Sequence, residues 1–380
     1  MKSLKALFLC PIFETWNDVG NHLNNPLWVT SFFGTERHFA RDRTNTLNKF
    51  GLYNICELPT FDYKITPHQR EFSDLVNERA RYLIDNIDRP ITVLWSGGVD
   101  STMIMCAMIA NGIPKDKLRV YCTMESVWEA PGFMEFVLRN GYTVHPTSAG
   151  YFYRDFDRDF GDTHLISGDA SDLLFGSVKA SKMIALQSMP WVDGWRFAMH
   201  EFHKDFPTPS FDTFDYIQEW MNRWSGWEIK TFGQFLWWNS YALQYDGVIE
   251  HFRLEFEGKY ADHQESFFET PEFNQWALND FPNRGKHNQW FDHRYYKKHL
   301  KDYIQSVWKN DDYHRYKGKC GSWSIHYNHN YNIGKLILRD EEGYKTIPYK
   351  GYKNDINRLC DASVKQVVEL LKPYRKAETL

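Results

Sequence analysis

The sequence predicts an α/β protein built on an open, mostly parallel sheet with helices on both faces, together with a mostly helical C-terminal region. Short apolar runs alternate with helical stretches over residues 66–189, which is typical of parallel strands covered by helices. From about residue 190 the chain changes to Trp- and Tyr-rich helical segments. These changes divide it into an N-terminal segment of irregular structure and short strands (1–65), an α/β domain (66–189) and a helical substrate-side region (190–380).

The first clear helix is predicted to begin at Thr66. Pro67 stands at the first helical position and Gln69 three residues after the cap, which together make a capping-box start. Apolar residues at helical spacing over 72–87 give the helix one buried face, and Pro90 follows its end.

The α/β domain continues as alternating strands and helices. Apolar runs of four to seven residues predict buried strands, and longer apolar stretches closed by Asn-Gly or a similar turn predict helices. Strands are predicted at 91–95, 118–124, 142–146 and 164–167, and helices at 102–110, 132–140 and from about 173.

The C-terminal region is predicted to end in a helix capped by Asp361 and stopped by Pro373. Its many tryptophans either fill a helical core, the reading that composition favours, or line an aromatic substrate pocket. His326 and His329 stand three residues apart without a carboxylate or cysteine pattern beside them, so a metal site there is not expected.

Composition excludes several classes of function. The 45 Lys and Arg residues against 49 Asp and Glu give a net charge of −4, which argues against a broad basic face for nucleic acid. The six cysteines are scattered without zinc spacing, as expected for reduced thiols in the cytoplasm. The apolar run 6–13 is too short for a membrane span and leads into acidic residues, so it predicts a buried first strand. We expect a soluble, cytoplasmic protein without membrane or nucleic-acid partners.

The loop after the first strand of the α/β domain has the composition of an anion site. Gly97 and Gly98 allow a bend that turns successive N–H groups toward one point, and the next helix adds the positive end of its dipole. Ser96 and Ser101 supply hydroxyl donors. Asp100 would repel phosphate unless it holds a metal such as Mg²⁺.

A second loop of this type, Leu-Ile-Ser-Gly-Asp-Ala-Ser-Asp-Leu-Leu-Phe-Gly, spans residues 165–176. Its Asp169 and Asp172 lie at a predicted helix start, where acidic residues also serve as simple caps. Because ligands of open α/β folds bind at the carboxyl ends of the strands, both loops are expected at one ligand-binding edge.

The two loops together resemble one enzyme family. The first is similar to the SGGxDS loop of the PP-loop ATP pyrophosphatases, and the second to the SG(D/E)G(S/A)DE(L/V)FGG segment of the asparagine synthetase synthetase domain, shared with β-lactam synthetase. Residues 315–323 resemble the family's RxK followed by a glycine-containing loop, with Lys317 as the late lysine and Lys319 as its alternative. Residues 297–301 also resemble the family's lysine-rich helix, although a solvated face is the favoured interpretation.

The resemblance implies an ATP-dependent ligase that adenylates a carboxylate, releases pyrophosphate and passes the acyl group to ammonia or an amine. Asp100 and Asp172 would bind Mg²⁺, Asp169 would assist the amine as a base, and Lys317 would stabilise the charged intermediate. The ATP and pyrophosphate contacts would come from Leu94, Ser96, Gly97, Gly98, Asp100, Ser101, Thr123, Ser167 and Gly168.

Some positions depart from the family pattern. Residue 2 is Lys2 and the segment before the first helix is short, so a glutaminase domain is not expected, and a separate ammonia-supplying protein is an open alternative. Ala170, Leu173 and Ser177 stand where the family has glycine, glutamate and glycine. Two alternatives therefore stay open: another PP-loop branch acting on a nucleotide or base, and an ATP-binding relative without catalysis.

Overall fold

The computed structural model describes part of the chain in two compact units. One unit comprises Thr66–Lys182 and Tyr260–His329, and the other Met1–Ile65, Met183–Lys259 and Asn330–Leu380. The first unit thus includes 260–329, a range that the sequence predicts to belong to the C-terminal region. The described residues are 4–10, 70–147, 161–175, 186, 188–202, 218, 229–241, 245, 249, 261–285, 297–317, 334–340, 342–349, 351–352 and 355–359.

The described residues form strands and helices that we number in chain order. The strands are β1 Leu4–Cys10, β2 Ile91–Leu94, β3 Leu118–Thr123, β4 Thr143–Thr147, β5 His164–Ser167, β6 Gln264–Ser266, β7 Gly334–Asp340, β8 Gly343–Tyr349, β9 Gly351–Tyr352 and β10 Asp355–Leu359. The helices are α1 Phe72–Asn86, α2 Val99–Ala110, α3 Met124–Glu129, α4 Pro131–Arg139, α5 Ser171–Phe175, α6 Trp191–Phe202, α7 Phe232–Asn239, α8 Pro271–Gly285, α9 Lys298–Trp308 and α10 Asp311–Tyr316.

A five-stranded sheet with the order β4-β3-β2-β5-β6 organises the first unit. All four neighbouring pairs are parallel, so the predicted open parallel α/β sheet is confirmed. In the centre, Val93 of β2 lies opposite Val120 of β3 on one side and Ile166 of β5 on the other. The strand order reverses between β2 and β5, and this switch point is where open α/β sheets bind ligands.

Helix α2 is buried along most of its surface. Its central residues Met103 to Met108 are fully buried, because α2 packs against both α1 and α9. This burial explains why the sequence of α2 is apolar all round rather than amphipathic. The helix that follows the first loop is therefore held inside the unit.

An aromatic cluster fixes the short helix α5 behind the second loop. The ring of Phe72 lies 5.4 Å from Phe175, 5.9 Å from Phe273, 5.0 Å from Trp276 and 5.3 Å from His299, measured between centroids. These residues come from α1, α5, α8 and α9. Burying large rings at edge-to-face and tilted angles stabilises such a junction, so α5 has a well-defined position.

The fifth strand, β6, was not predicted. It is three residues long, and polar contacts tie it to the unit. Glu265 accepts hydrogen bonds from Arg79 of α1 at 2.5 Å and from His164 of β5 at 2.7 Å. Burial alone would raise the pKa of Glu265, but the hydrogen bond with His164 and the Arg79 guanidinium hold that pKa at about 2.

We expect Glu265→Gln to lower the free energy of unfolding by about 3 kcal/mol, because it leaves the buried Arg79 without its anionic partner. The depressed pKa means that Glu265 stabilises the fold above pH about 4.5 and loses this effect as the pH falls toward 2. Urea unfolding of the wild type and the variant at pH 7 and pH 3 measures the loss of stability and its pH dependence. An equal loss at the two pH values would contradict the ion-pair explanation.

Several predicted boundaries were wrong. Helix α1 begins at Phe72, with Glu71 at the N-cap, rather than at Thr66. An unpredicted helix, α3, directly follows β3. Residues 334–359 contain strands in a region predicted to be mostly helical. The predicted final helix, from Asp361 to Pro373, lies outside the described residues.

The second unit combines strands and aromatic-rich helices. Strand β1 confirms the predicted first strand and pairs antiparallel with β7, which pairs with β8. In α6 and α7, Trp191 stacks on Phe235 with centroids 4.9 Å apart, and Trp238 is fully buried, which favours the core reading of these tryptophans. Among the described residues, no helix has the length and apolar character needed to cross a membrane.

Candidate active site

The first loop folds into a tight turn between β2 and α2. The hydroxyl of Ser101 accepts a hydrogen bond from the Ser96 backbone N–H at 3.1 Å and lies 3.1 Å from the Ser96 hydroxyl. The Ser96 hydroxyl in turn accepts from the Gly98 N–H at 3.3 Å. The two serines therefore preform the loop through hydrogen bonds within it.

Glycine is required at position 97. Its φ of +76° lies in the left-handed region, which costs a residue with a Cβ roughly 1 to 2 kcal/mol. A Cβ there would also lie 2.4 Å from the Ser126 carbonyl oxygen and 2.9 Å from the Glu129 Cβ. The loop is thus pressed against α3, whose start is fixed by a capping box between Thr123 and Ser126.

The second loop meets the first at the switch point. A Cβ on Gly168 would lie 3.0 Å from the Asp100 Cβ and 3.4 Å from the Ser101 backbone nitrogen. Across this contact the Ser171 hydroxyl donates a hydrogen bond to Asp100 at 2.5 Å. Glycine at 168 therefore lets the two loops share one edge, as the sequence predicted.

Two carboxylates converge on one cation. The ammonium group of Lys297 lies 2.5 Å from an oxygen of Asp100 and 2.5 Å from an oxygen of Asp172. The side chain of Lys297 is 1% exposed, so the reading of 297–301 as a solvated face is wrong at this position. A buried ammonium requires such anionic partners.

The donor set suits a divalent ion that arrives with a nucleotide. Asp100 and Asp172 supply hard oxygen ligands, and the ammonium group of Lys297 lies between them, where a metal ion would also be attracted. Within the described ranges, no group of three or more His, Cys, Asp or Glu side chains is placed to hold a metal by itself. Mg²⁺ is commonly held by one or two carboxylates together with substrate phosphates, and these residues fit that arrangement.

Asp169 lies beside this pair. Its backbone N–H donates to the Ser167 hydroxyl at 3.2 Å, and its carbonyl accepts from the Ser266 hydroxyl at 2.5 Å, which fixes the backbone of the loop. Burial, with smaller contributions from the charges of Asp100 and Asp172, raises the pKa of Asp169 to about 6. A carboxyl group with this pKa can accept a proton near neutral pH.

We expect Asp169→Asn to stabilise the fold by about 1 to 3 kcal/mol at pH 7.5, because the ionised carboxylate is disfavoured there. The folded-state pKa is raised, so the wild-type protein loses stability as the pH rises from about 4 to about 6. The gain from the substitution should vanish at pH 3.5. Urea unfolding at the two pH values measures it, and a variant that is less stable at pH 7.5 would contradict the pKa assignment.

A buried ion pair links the predicted late lysine to the first loop. Lys317, at the end of α10, forms an ion pair with Glu129 of α3, and the two side chains are 6% and 2% exposed. Glu129 is the residue whose Cβ lies against Gly97. Its other oxygen, Oε2, is buried and has no hydrogen-bond partner within the described part of the chain. Lys317 is therefore brought to the loop, while Lys319 lies outside the described residues.

Glu129 was missed by sequence reasoning. It lies in a helix that the sequence did not predict, and nothing in its local pattern separates it from a solvated glutamate. The only sequence signal is the glycine at position 97, since a glycine can mark a place where a neighbour lies too close for a Cβ. Lys297 was noticed in the sequence but interpreted as exposed.

The family departures have structural consequences at two described positions. Ala170 adopts φ +66°, a left-handed conformation that favours glycine. Leu173 is buried, with 7% exposure, and so contributes to the core instead of a charge to the site. Ser177 lies outside the described residues, as do His326 and His329.

The remaining predicted residues lie around the same edge. Leu94 ends β2 and is partly exposed. Thr123 uses its hydroxyl to cap α3, accepting from the Ser126 N–H at 3.4 Å. Ser167 ends β5, and its carbonyl accepts a hydrogen bond from the Phe267 N–H at 2.9 Å. These three lie at the carboxyl ends of β2, β3 and β5.

Comparison with known protein families and with curated proteins finds no match to this chain.

Proposed function

We propose that this protein is a Mg²⁺- and ATP-dependent amide-forming ligase of the asparagine synthetase-like kind, within the PP-loop ATP pyrophosphatase superfamily. The observation that supports it best is the meeting of the two loops at the switch point, where a Cβ on Gly168 would lie 3.0 Å from that of Asp100. The contact brings a phosphate-type loop and a cluster of carboxylates to the same edge of the sheet.

The first loop is suited to pyrophosphate. Gly97 and Gly98 lie at the start of α2, where the helix dipole favours negative charge. Ser96 and Ser101 already hydrogen-bond each other and the loop, so little reorganisation is needed when phosphate binds. Mg²⁺ held by Asp100 and Asp172 would supply Lewis-acid neutralisation of the phosphate charge.

In the first step, an oxygen of the substrate carboxylate attacks the α-phosphorus of ATP. The bond from the α-phosphorus to the bridging oxygen breaks, and pyrophosphate leaves with that oxygen and its electron pair. Lys317, held by Glu129 beside the loop, is placed to stabilise the charge that develops there. The product is an acyl-adenylate.

In the second step, ammonia or an amine attacks the acyl carbon, and AMP leaves. The attacking nitrogen must lose a proton, and Asp169 is the carboxylate whose raised pKa suits that role.

Because Asp169 must be ionised to accept this proton, we expect amide formation to fall about ten-fold for each pH unit below 6. Pre-formed acyl-adenylate mixed with amine across pH 4.5 to 8 measures the step. Asp169→Asn should form the amide slowly at every pH and show no inflection near pH 6. An unchanged pH profile in that variant would mean that another residue is the base.

The proposed substrates are a small carboxylic acid, ATP, and ammonia or an amine. In this proposal the enzyme acts in the cytoplasm, and a separate protein is one source of the ammonia. An ATP-binding relative without catalysis is a second candidate, because Leu173 is buried where the family has a charge and Lys297 neutralises both proposed metal ligands. Another PP-loop branch remains a weaker alternative, since the second loop resembles the amide-forming members.

Acid-dependent exchange of labelled pyrophosphate into ATP tests the proposal. The protein is incubated with Mg-ATP, labelled pyrophosphate and single carboxylates, beginning with aspartate, and then with ammonium to detect the amide. Exchange with one acid identifies the activated substrate. Equilibrium dialysis measures whether the protein binds ATP. ATP binding without pyrophosphate exchange for any acid, even with ammonium present, would favour the non-catalytic candidate.

A further inference from the structure

We propose that Lys297 is a built-in cation that occupies the metal position in the nucleotide-free protein and must leave it before a divalent ion can bind. The inference rests on the proposed function insofar as Asp100 and Asp172 are the metal ligands. It adds a competition between a side chain and the metal that nothing in the family resemblance implies.

The geometry shows that the two cations would need the same atoms. Lys297 Nζ lies 2.5 Å from Asp100 Oδ1 and 2.5 Å from Asp172 Oδ1, so these two oxygens are at most 5.0 Å apart. Mg²⁺ binds carboxylate oxygens at about 2.0 to 2.1 Å. An ion that bridges the two aspartates would therefore overlap the ammonium group, and like charges at such a distance repel strongly.

The position of Lys297 in the chain holds its ammonium there. The side chain is 1% exposed, whereas those of Asp100 and Asp172 are 27% and 29% exposed. Its backbone adopts φ +49° at the start of α9, a conformation uncommon for a residue with a Cβ. The lysine thus reaches the carboxylates from the interior, while their outer surfaces stay open to a nucleotide.

This arrangement links metal binding to ATP binding. Without nucleotide, Lys297 neutralises the aspartates and the divalent ion gains little by replacing it. With ATP, the phosphates supply further oxygen ligands for the metal and an anionic partner for the displaced ammonium. Free metal should therefore bind weakly to the wild-type protein, and removing the lysine charge should strengthen that binding.

Mn²⁺ binding without nucleotide tests the inference, with the free ion measured by electron paramagnetic resonance. Full-length Lys297→Gln and Lys297→Met should bind Mn²⁺ at least about ten-fold more tightly than the wild type. Lys297→Met keeps most of the buried stem and serves as the second variant if the glutamine disturbs folding. Lys297→Arg keeps the charge and should resemble the wild type.

The matched control is Lys298→Gln, which removes the same charge from the neighbouring residue. Lys298 is 51% exposed and pairs with Asp302, so its loss should leave Mn²⁺ affinity unchanged. The double variant Asp100→Asn/Lys297→Met should lose the gain, because one of the two ligands is then neutral. Circular dichroism melts confirm that each variant is folded.

Equal Mn²⁺ affinity in wild type and in folded Lys297→Met would overturn the inference, as would an equal gain in Lys298→Gln. The test of the cation role is independent of the proposed ligase activity, because Mn²⁺ binding requires no turnover. If the protein catalyses pyrophosphate exchange but Lys297→Met gains no Mn²⁺ affinity, only the cation role is refuted. A gain without any exchange or AMP formation would support the cation role and contradict the ligase.

Discussion

Asp100→Asn is expected to reduce AMP formation by about a thousand-fold or more while the protein stays folded. Asp100 is the residue on which the site converges, since it accepts from the Ser171 hydroxyl and from Lys297 and lies against Gly168. Asparagine keeps the shape but loses the charge that a metal on the pyrophosphate requires. Asp100→Ala should have the same effect. AMP release from Mg-ATP and the cognate acid measures both.

The matched control for this prediction is Asp85→Asn, which removes the same charge from an exposed position on α1. It should leave AMP formation unchanged. The Asp100 variants should show urea unfolding midpoints close to the wild type, because Lys297 keeps Asp172 as a partner. Retained turnover in folded Asp100→Asn would refute the metal role of this residue.

Lys317→Gln is expected to have the second largest effect, slowing adenylation by about a hundred- to a thousand-fold. It should also lower the free energy of unfolding by about 3 kcal/mol, since Glu129 would stay buried without its partner. Glu129→Gln removes the anionic partner of this ion pair and should be destabilised to a similar degree. Activity and urea unfolding are measured on the same preparations.

The double variant Glu129→Gln/Lys317→Gln separates the two roles of the lysine. Two neutral amides remove the unpaired charge, so the double variant should regain most of the lost stability. Its adenylation should stay as slow as in Lys317→Gln, because the proposed catalytic ammonium group is still missing. Recovery of activity together with stability would show that Lys317 serves the fold alone.

The sheet and both loops could be predicted because their signals are local. Strand β5 was predicted at its observed bounds, since a short run centred on Leu165 and Ile166 between turn residues leaves few alternatives. Gly97 was predicted at the site from loop composition and Gly168 from the family resemblance, and the structure gives each a reason in a close approach to a neighbour.

The remaining parts depend on tertiary contacts that local patterns do not carry. Strand β6 has only three residues, and the partners of its Glu265 side chain, Arg79 and His164, lie far away in the chain. The burial of Lys297 depends on its pairing with Asp172 and with Asp100, the latter nearly two hundred residues earlier in the chain. The start of α1 was placed too early, because a capping-box pattern at Thr66 matched a helix that begins only at Phe72.

The most direct test of the central claim follows the α-phosphate of ATP. Full-length protein is incubated with Mg²⁺, ATP labelled at the α-phosphorus, ammonium and the activated acid, and the labelled products are separated. The two-loop site predicts label in AMP, with one pyrophosphate released per AMP and none formed by Asp100→Asn. Label in ADP instead would mean cleavage between the β- and γ-phosphates and would contradict the proposed adenylation.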